Sequence, residues 1–352
     1  MFEVVAGVFS SDPARSRDKG RQLGIAEERA YGTVAELCEK ERGRGDAIDA
    51  VAIMTPNDDH YRQSAAALDA GFDVICDKPV TGTLDEARDL AQRVAAGNRV
   101  FCITHGYSAY PMTRHASALV RDGVLGKLRF VQVEYIQSGL ATRLEDTPQN
   151  NRLKWVLDPQ RSGLSLVMSA IGCHAHNLAC FTANDRISSV SADVASLVPG
   201  RVVVDYTSAN LRFAGGAHGT FTATQAAAGG ENDIRLRLFG DLGMIDWNQR
   251  DASYLKLSLQ GEPVQVVGRG DTFLAPDIIA SGRTPRGHPE GLREAFANLY
   301  RDAGRDIIAR SLGKPREATQ YPHIEDGVHT MAFIEACMAS HANNGQWTNV
   351  AA

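Results

Sequence analysis

Two residues stand where proton chemistry is readily arranged. Lys78 lies in Cys76-Asp77-Lys78-Pro79-Val80-Thr81, at the end of a short apolar run and ahead of a proline. An ammonium fixed on such a turn can donate hydrogen bonds to a substrate oxygen and to a general base, and it lowers the effective pKa of a bound hydroxyl. The plain alternative is a solvated loop lysine. His174 lies in Ile171-Gly172-Cys173-His174-Ala175-His176-Asn177-Leu178. An imidazole titrates near neutrality and suits a general acid or base; the plain alternative is a satisfied structural histidine. Cys173, His174, His176 and Cys180 together look like metal ligands. On a helix, however, Cys173, His176 and Cys180 share one face and His174 points elsewhere, and four tetrahedral ligands from so short a segment would be unusual. The expectation is no metal, with Cys173 and Cys180 in the core.

These residues need elements to hold them. Residues 3–9 form a short apolar run ending in Ser10-Ser11-Asp12-Pro13, read as a buried strand followed by a helix start. Residues 50–54 form a second run, ending at Thr55-Pro56-Asn57, and residues 60–70 a helix stopped by Gly71. Residues 73–76 and 100–104 read as further strands. Between them Thr83 and Glu86 form a capping box for a helix carrying Leu84, Ala87, Leu90, Ala91 and Val94 on one face. Short, non-alternating strands separated by amphipathic helices predict a doubly wound parallel α/β sheet. Ligands of such sheets bind beyond the carboxyl ends of the strands. Ser10 to Asp12, Thr55 to Asn57, Asp77-Lys78-Pro79 and His105 all fall at such ends.

The texture changes after about residue 125. Long strands are expected at 128–136, near 187–198, 203–213, 217–225, 233–240 and 253–259, with helices at 172–183, 288–312 and 323–341. This is an α+β arrangement with a large, mostly antiparallel sheet. Two domains follow, a Rossmann-like one over 1–106 and a substrate-binding and oligomerisation one over 107–352, a size that suits a 352-residue chain. The Gly215-Gly216 and Gly229-Gly230 pairs sit in the β-rich half and read as turns.

Bulk properties narrow the function class. Hydrophobic residues are 43%, charged residues 22% and the net charge is −5, so no basic excess argues for nucleic acid or an anionic membrane. No apolar run approaches the length of a membrane span, and the first residues lack the features of a signal peptide. The six cysteines sit mostly in apolar segments, as reduced buried thiols do, so the cytoplasm is the expected compartment.

Four motifs in order carry a resemblance. Cys76-Asp77-Lys78-Pro79-Val80-Thr81, residues 49–60 (Asp-Ala-Val-Ala-Ile-Met-Thr-Pro-Asn-Asp-Asp-His), His105-Gly106-Tyr107-Ser108-Ala109-Tyr110-Pro111 and the His174 segment resemble those of the glucose–fructose oxidoreductase / inositol dehydrogenase family. Gly287-His288-Pro289-Glu290-Gly291 through Tyr300 is similar to one sugar-dehydrogenase-like branch of it. The resemblance spans nearly the whole chain. It implies hydride transfer between NAD or NADP and a hydroxyl of a sugar, glycoside or cyclitol, by a homodimer or homotetramer. It implies catalytic roles for Lys78, His174 and Tyr107, and cofactor contacts from Thr55, Pro56, Asn57, His60, Asp77, Lys78 and His105. Ser10, Ser11, Asp12 and Arg15 fall where an acidic residue reads the ribose 2′-hydroxyl of NAD while serine and arginine accept the 2′-phosphate of NADP, so both cofactors stay open. Tyr110, Trp155 and His288 are the substrate contacts implied, with interdomain packing as the plain reading of Tyr107 and Tyr110 and helix capping as that of His288. Pro79 shapes the turn, often after a cis bond.

Departures from the family pattern are specific. Met1 falls at the start of the family's second strand, so the first strand and its glycine-rich loop are absent from the sequence, through a misassigned start or a truncation. The acidic residue the family places four positions before the histidine is Ala170, flanked by Ser169, and the arginine that follows the tryptophan in one branch is Val156. These departures leave a second reading open, a catalytically impaired or regulatory ligand-binding relative.

Overall fold

The computed structural model describes residues 2–146, 157–158, 161, 165–316 and 320–351. Trp155 and Val156 lie outside the described residues.

Three short strands, β1 (Ala50–Ile53), β2 (Asp73–Cys76) and β3 (Phe101–Ile103), pair in parallel in the order β1-β2-β3. All of β2 and β3 is buried, as their unbroken apolar sequences require. Helices Asn57–Ala70 and Leu84–Gly97 make the crossovers. The second begins at the expected capping box: Glu86 N–H donates to Thr83 Oγ1 at 3.3 Å, and Thr83 N–H donates to the Glu86 carboxylate at 3.1 Å.

The expected first strand is corrected. Residues 3–9 are half-exposed to exposed and make one parallel bridge, Gly7 with Ala30, in place of a strand. The Gly7 carbonyl and N–H bond Tyr31 N–H and the Arg29 carbonyl on one side, and among the described residues nothing pairs with the segment on the other. A strand gains its regularity and its burial from two neighbours, and this one has a single contact. Asp12 still caps helix Pro13–Gln22 through Arg15 N–H at 2.8 Å.

The second sheet has nine strands in the order β11-β10-β9-β8-β4-β7-β6-β5-β12. They are β4 (Leu128–Ile136), β5 (Ile187–Ala195), β6 (Tyr206–Phe213), β7 (His218–Thr224), β8 (Asp233–Gly240), β9 (Gly243–Asn248), β10 (Tyr254–Leu259), β11 (Gln265–Gly268) and β12 (Thr348–Asn349). Only the β4–β7 pair is parallel. Alternate residues of β4 (Val131, Val133, Tyr135) turn inward, as a sheet covered on one face requires. Helix Cys173–Ala183 lies on that face.

The last helices return to the first sheet. Helix Leu292–Ser311 reaches β2 and β3, and Arg310 pairs with the buried Asp73 at 2.8 Å. Helix Ile324–Ala342 packs on helix Leu84–Gly97 and β3 as well as on β5. Its Gly327 lets the backbone close on the first sheet: a Cβ there would stand 2.6 Å from Ile103 and 2.9 Å from Val80. Helix Leu292–Ser311 begins later than the sequence reading had it. His288 and Glu290 lie in the loop before it, where Glu290 accepts from the Arg283 and Thr284 N–H groups and pairs with Arg269 at 3.0 Å.

Candidate active site

The carboxyl ends of β2 and β3 are tied together by one carboxylate. Asp77 Oδ1 accepts from Lys78 N–H at 2.7 Å and from Thr104 Oγ1 at 3.0 Å. The Lys78–Pro79 peptide is cis. His60, fully buried, sets one ring nitrogen 2.7 Å from the Pro79 carbonyl and the other 2.9 Å from the Thr55 carbonyl. Its ring thereby ties the loop after β1 to the loop after β2.

Lys78 crosses from the first sheet to the second half of the chain. Its Nζ donates to the Ala170 carbonyl at 2.6 Å and toward the Ser169 carbonyl at 3.4 Å. Both belong to a π-helical turn, Met168–Gly172, which runs into helix Cys173–Ala183. Cys173 N–H reaches back five residues to the Met168 carbonyl, the wide spacing typical of such turns, which cluster at functional sites. Position 170 therefore holds the lysine through its backbone, with no carboxylate involved.

His174 leaves the first turn of that helix and meets His105 from the end of β3. Their Nδ1 atoms are 3.3 Å apart and their rings are edge to face at 5.2 Å. One Nδ1 must carry a proton and the other a lone pair. Burial first, then the Lys78 ammonium, then His105, holds His174 well below its usual pKa. Burial and then Lys78 lower His105 to about 3. Both rings are neutral near pH 7. Both are buried, His174 at 9% exposed and His105 at 1%, so His174 is the less enclosed of the two.

Tyr107 closes the group. Its ring lies edge to face on His174 at 5.1 Å, and its hydroxyl is 2.5 Å from that of Tyr135 on β4. Asn232 donates to the Tyr107 hydroxyl at 3.2 Å and accepts from Tyr135 at 2.8 Å. The sequence reading missed Tyr135 and Asn232; the signal for the first was a tyrosine at an inward position of an alternating strand. Tyr110 stacks on Tyr107 at 6.1 Å and lines a cavity of about 320 Å³ with Gln249, Arg269, Glu290 and the exposed His288.

Lys78, Asp77, His105, Tyr107 and His174 thus come together, and Tyr110 and His288 share the adjoining cavity. Thr55, Pro56 and Asn57 stand at the end of β1, where Pro56 opens helix Asn57–Ala70 without a side-chain cap. Thr55 Oγ1 is buried and has no partner. An uncapped helix start beside an orphaned hydroxyl fits a polar ligand at this strand end, as a dinucleotide would be. Ser10, Ser11, Asp12 and Arg15 form a separate group around the cap of helix Pro13–Gln22, and Ser11, Asp12 and Arg15 are exposed. Cys180 packs against the main core but is only partly buried, unlike the other five cysteines.

Comparison with known proteins agrees with this architecture. Residues 2–105 match the oxidoreductase family's NAD-binding Rossmann fold, and residues 113–246 match the GFO/IDH/MocA C-terminal domain. An uncharacterized oxidoreductase of Bacillus subtilis is 30% identical over 98% of this chain and 89% of its own length. The levoglucosan dehydrogenase of Pseudarthrobacter phenanthrenivorans is 25% identical over 65% of this chain and 63% of its own. Among solved structures, an inositol dehydrogenase homologue from Azotobacter vinelandii complexed with NADH and myo-inositol is 33% identical with a TM-score of 0.91, covering 99% of this chain and 90% of that one. A parallel sheet backed by a large, mostly antiparallel sheet, with both halves matched and a relative 30% identical along nearly the whole chain, makes this chain a member of the GFO/IDH/MocA oxidoreductase family.

Proposed function

We propose that the chain is an NAD(P)-dependent dehydrogenase of a sugar or cyclitol hydroxyl, with Lys78 and His174 handling the hydroxyl proton. The observation that carries this reading is the meeting of Lys78, His105 and His174 at one edge of the parallel sheet. The relatives named for myo-inositol and levoglucosan supply the substrate class.

A nicotinamide held here would supply the hydride acceptor for the carbinol carbon. Thr55, Pro56, Asn57, Asp77 and His105 would hold the cofactor, with His60 fixing the loops that carry Thr55 and Pro79, and the Ser10–Arg15 group would read its ribose. Neutral His174, with its Nδ1–H directed at His105, presents Nε2 as a base to the substrate hydroxyl. Lys78 donates to the same oxygen and stabilises the charge that builds there as the proton leaves. In the opposite direction Lys78 polarises the carbonyl and His174 returns the proton. Tyr107 fixes the His174 ring by its edge, since its hydroxyl is engaged by Tyr135 and Asn232. Tyr110 and His288 offer hydroxyl and imidazole contacts to the rest of the substrate from the adjoining cavity.

The six free thiols support a reducing, cytoplasmic location. No helix among the described residues is long and apolar enough to cross a membrane. A homo-oligomer joined through the outer face of the nine-stranded sheet is consistent with half-exposed Ser208, Thr220 and Thr222 there.

The test is reduction of NAD+ and of NADP+ by the purified chain with myo-inositol, levoglucosan and xylose. Turnover is expected with at least one polyol, and His174→Ala should lower kcat by about 10²–10⁴-fold with cofactor affinity unchanged. Cofactor binding with no reduction across the panel would overturn the reading.

A further inference from the structure

Behind the catalytic histidine the same helix carries a second chemical group. His176 and Cys180, four residues apart, share one helix face, and His174 lies about 200° around the axis from His176. They meet His329 of helix Ile324–Ala342, so that one ligand atom from each of the three residues lies within 4.8 Å of the other two. His329 is 153 positions downstream of His176 in an otherwise mostly apolar helix, and nothing in the sequence joins it to the cysteine.

Hydrogen bonds fix both imidazoles in the form that a metal requires. The Thr330 hydroxyl donates to the Asp326 carbonyl at 2.8 Å, so at its 3.0 Å contact with His176 Nδ1 it is the acceptor. His176 therefore carries its proton on Nδ1 and a lone pair on Nε2, which lies 3.6 Å from Cys180 Sγ. The Ile187 carbonyl can only accept, so at 3.0 Å it fixes the His329 proton on Nε2 and leaves the lone pair on Nδ1. An oxygen bonded to the other nitrogen of each ring is the usual setting of metal-bound histidines. The 3.6 Å sulfur–nitrogen distance also equals the edge of a zinc tetrahedron, about 3.6 Å from bonds of about 2.3 and 2.05 Å. The three ligand atoms lie within 4.8 Å of one another, wider than that edge, so the side chains must draw together on binding.

The group borders a cavity of about 230 Å³ lined also by Asn177, Asp326 and Arg186. Asn177 is 5% exposed and its Oδ1 is buried without a partner, facing a space where an ion-bound water is the kind of donor it lacks. Arg186 is held off by Asp326 at 3.7 Å and by the Glu325 carbonyl at 3.4 Å.

We propose that His176, Cys180 and His329 bind a divalent ion of the zinc class, with the fourth position open to the cavity, clamping the His174 helix to the C-terminal helix. Binding forms two nitrogen–metal bonds and one sulfur–metal bond and releases the Cys180 thiol proton to solvent.

The test uses the full chain and Zn2+ alone. Cys180 is partly buried while the other five cysteines are buried, so although burial pushes its thiol pKa up to about 12, an aromatic disulfide reagent at alkaline pH should modify it before the others in the folded protein. Stoichiometric Zn2+ is expected to slow that reaction more than about tenfold, a chelator to restore it, and His329→Gln to abolish the protection. Co2+ in place of Zn2+ should show a thiolate charge-transfer band that Cys180→Ser lacks. An unchanged labelling rate with Zn2+ overturns the proposal, and this arm needs no variant. Protection that persists in folded His329→Gln protein overturns it equally.

Discussion

Replacing Lys78 by methionine keeps an unbranched apolar stem of similar reach and removes the ammonium. Two effects follow from the geometry. In the resting fold the Ala170 carbonyl loses a charged donor at 2.6 Å, while the 3.4 Å contact with Ser169 is at the limit of a hydrogen bond. One charge-assisted bond is worth about 1.5–3 kcal/mol, so the variant should unfold more easily by about that amount. In the reaction, a donor of the same strength on the developing alkoxide corresponds to a factor of about 10–150 in kcat. A third effect concerns pH. Lys78 is the second cause, after burial, of the low His174 pKa. Removing its charge raises that pKa, and because the base works when neutral, the acid limb of the kcat profile moves to higher pH. Burial remains, so the limb stays below the usual histidine value. The assay is kcat against pH for both proteins under saturating cofactor and substrate, with urea melts alongside. A fall in kcat of less than about tenfold with an unmoved acid limb would refute the placement of Lys78 beside both the reacting oxygen and His174.

Two further outcomes concern stability. His105, His174 and His176 all have folded pKa values below the usual 6.5, chiefly through burial, His105 at about 3. The unfolded chain binds their protons first, so stability is full above pH 6.5 and falls as the pH drops from there toward 3, by up to about 1.4 kcal/mol per pH unit for each ring; urea midpoints that hold level from pH 7 to 5 would contradict this. Arg114 and Asp302 form a 2.7 Å pair with side chains 4% and 5% exposed, joining helix Pro111–Arg121 to helix Leu292–Ser311. Arg114→Met should cost about 3 kcal/mol, the lower end for a broken buried pair because Arg301 still contacts Asp302 at 2.9 Å, and adding Asp302→Leu should recover most of it in the same melts.

What the sequence disclosed was local. The Asp77-Lys78-Pro79 turn and the Thr83–Glu86 capping box are written in neighbouring residues, and both stand where their spacing put them. His174 was legible as a candidate base by residue type, but its partner His105 lies 69 positions away, and its low pKa comes from burial that no spacing reveals. The π-helical turn at Met168–Gly172 was hidden because nothing in Met-Ser-Ala-Ile-Gly marks a five-residue hydrogen bond. For the same reason Ala170 looked like a loss, when its carbonyl holds the lysine. Residues 3–9 show the opposite failure: an apolar run reads as a strand, yet a strand exists only with neighbours on its edges. Strands β9, β11 and β12 escaped notice because they are short and carry weak alternation.

Helix Ile324–Ala342 has a consequence for the order of events during synthesis. It packs on β3 and on helix Leu84–Gly97 as well as on β5, so it completes the burial of strands made more than 200 residues earlier. Until residue 342 has left the ribosome, Val80 and Ile103 lack the surface that Gly327 brings to them. The first sheet is therefore made long before the helix that covers part of it. Its apolar flank waits exposed, open to chaperones and to aggregation, and the native state closes in one late step after release. A protein truncated before this helix would leave Val80, Ile103 and the flank of helix Leu84–Gly97 uncovered.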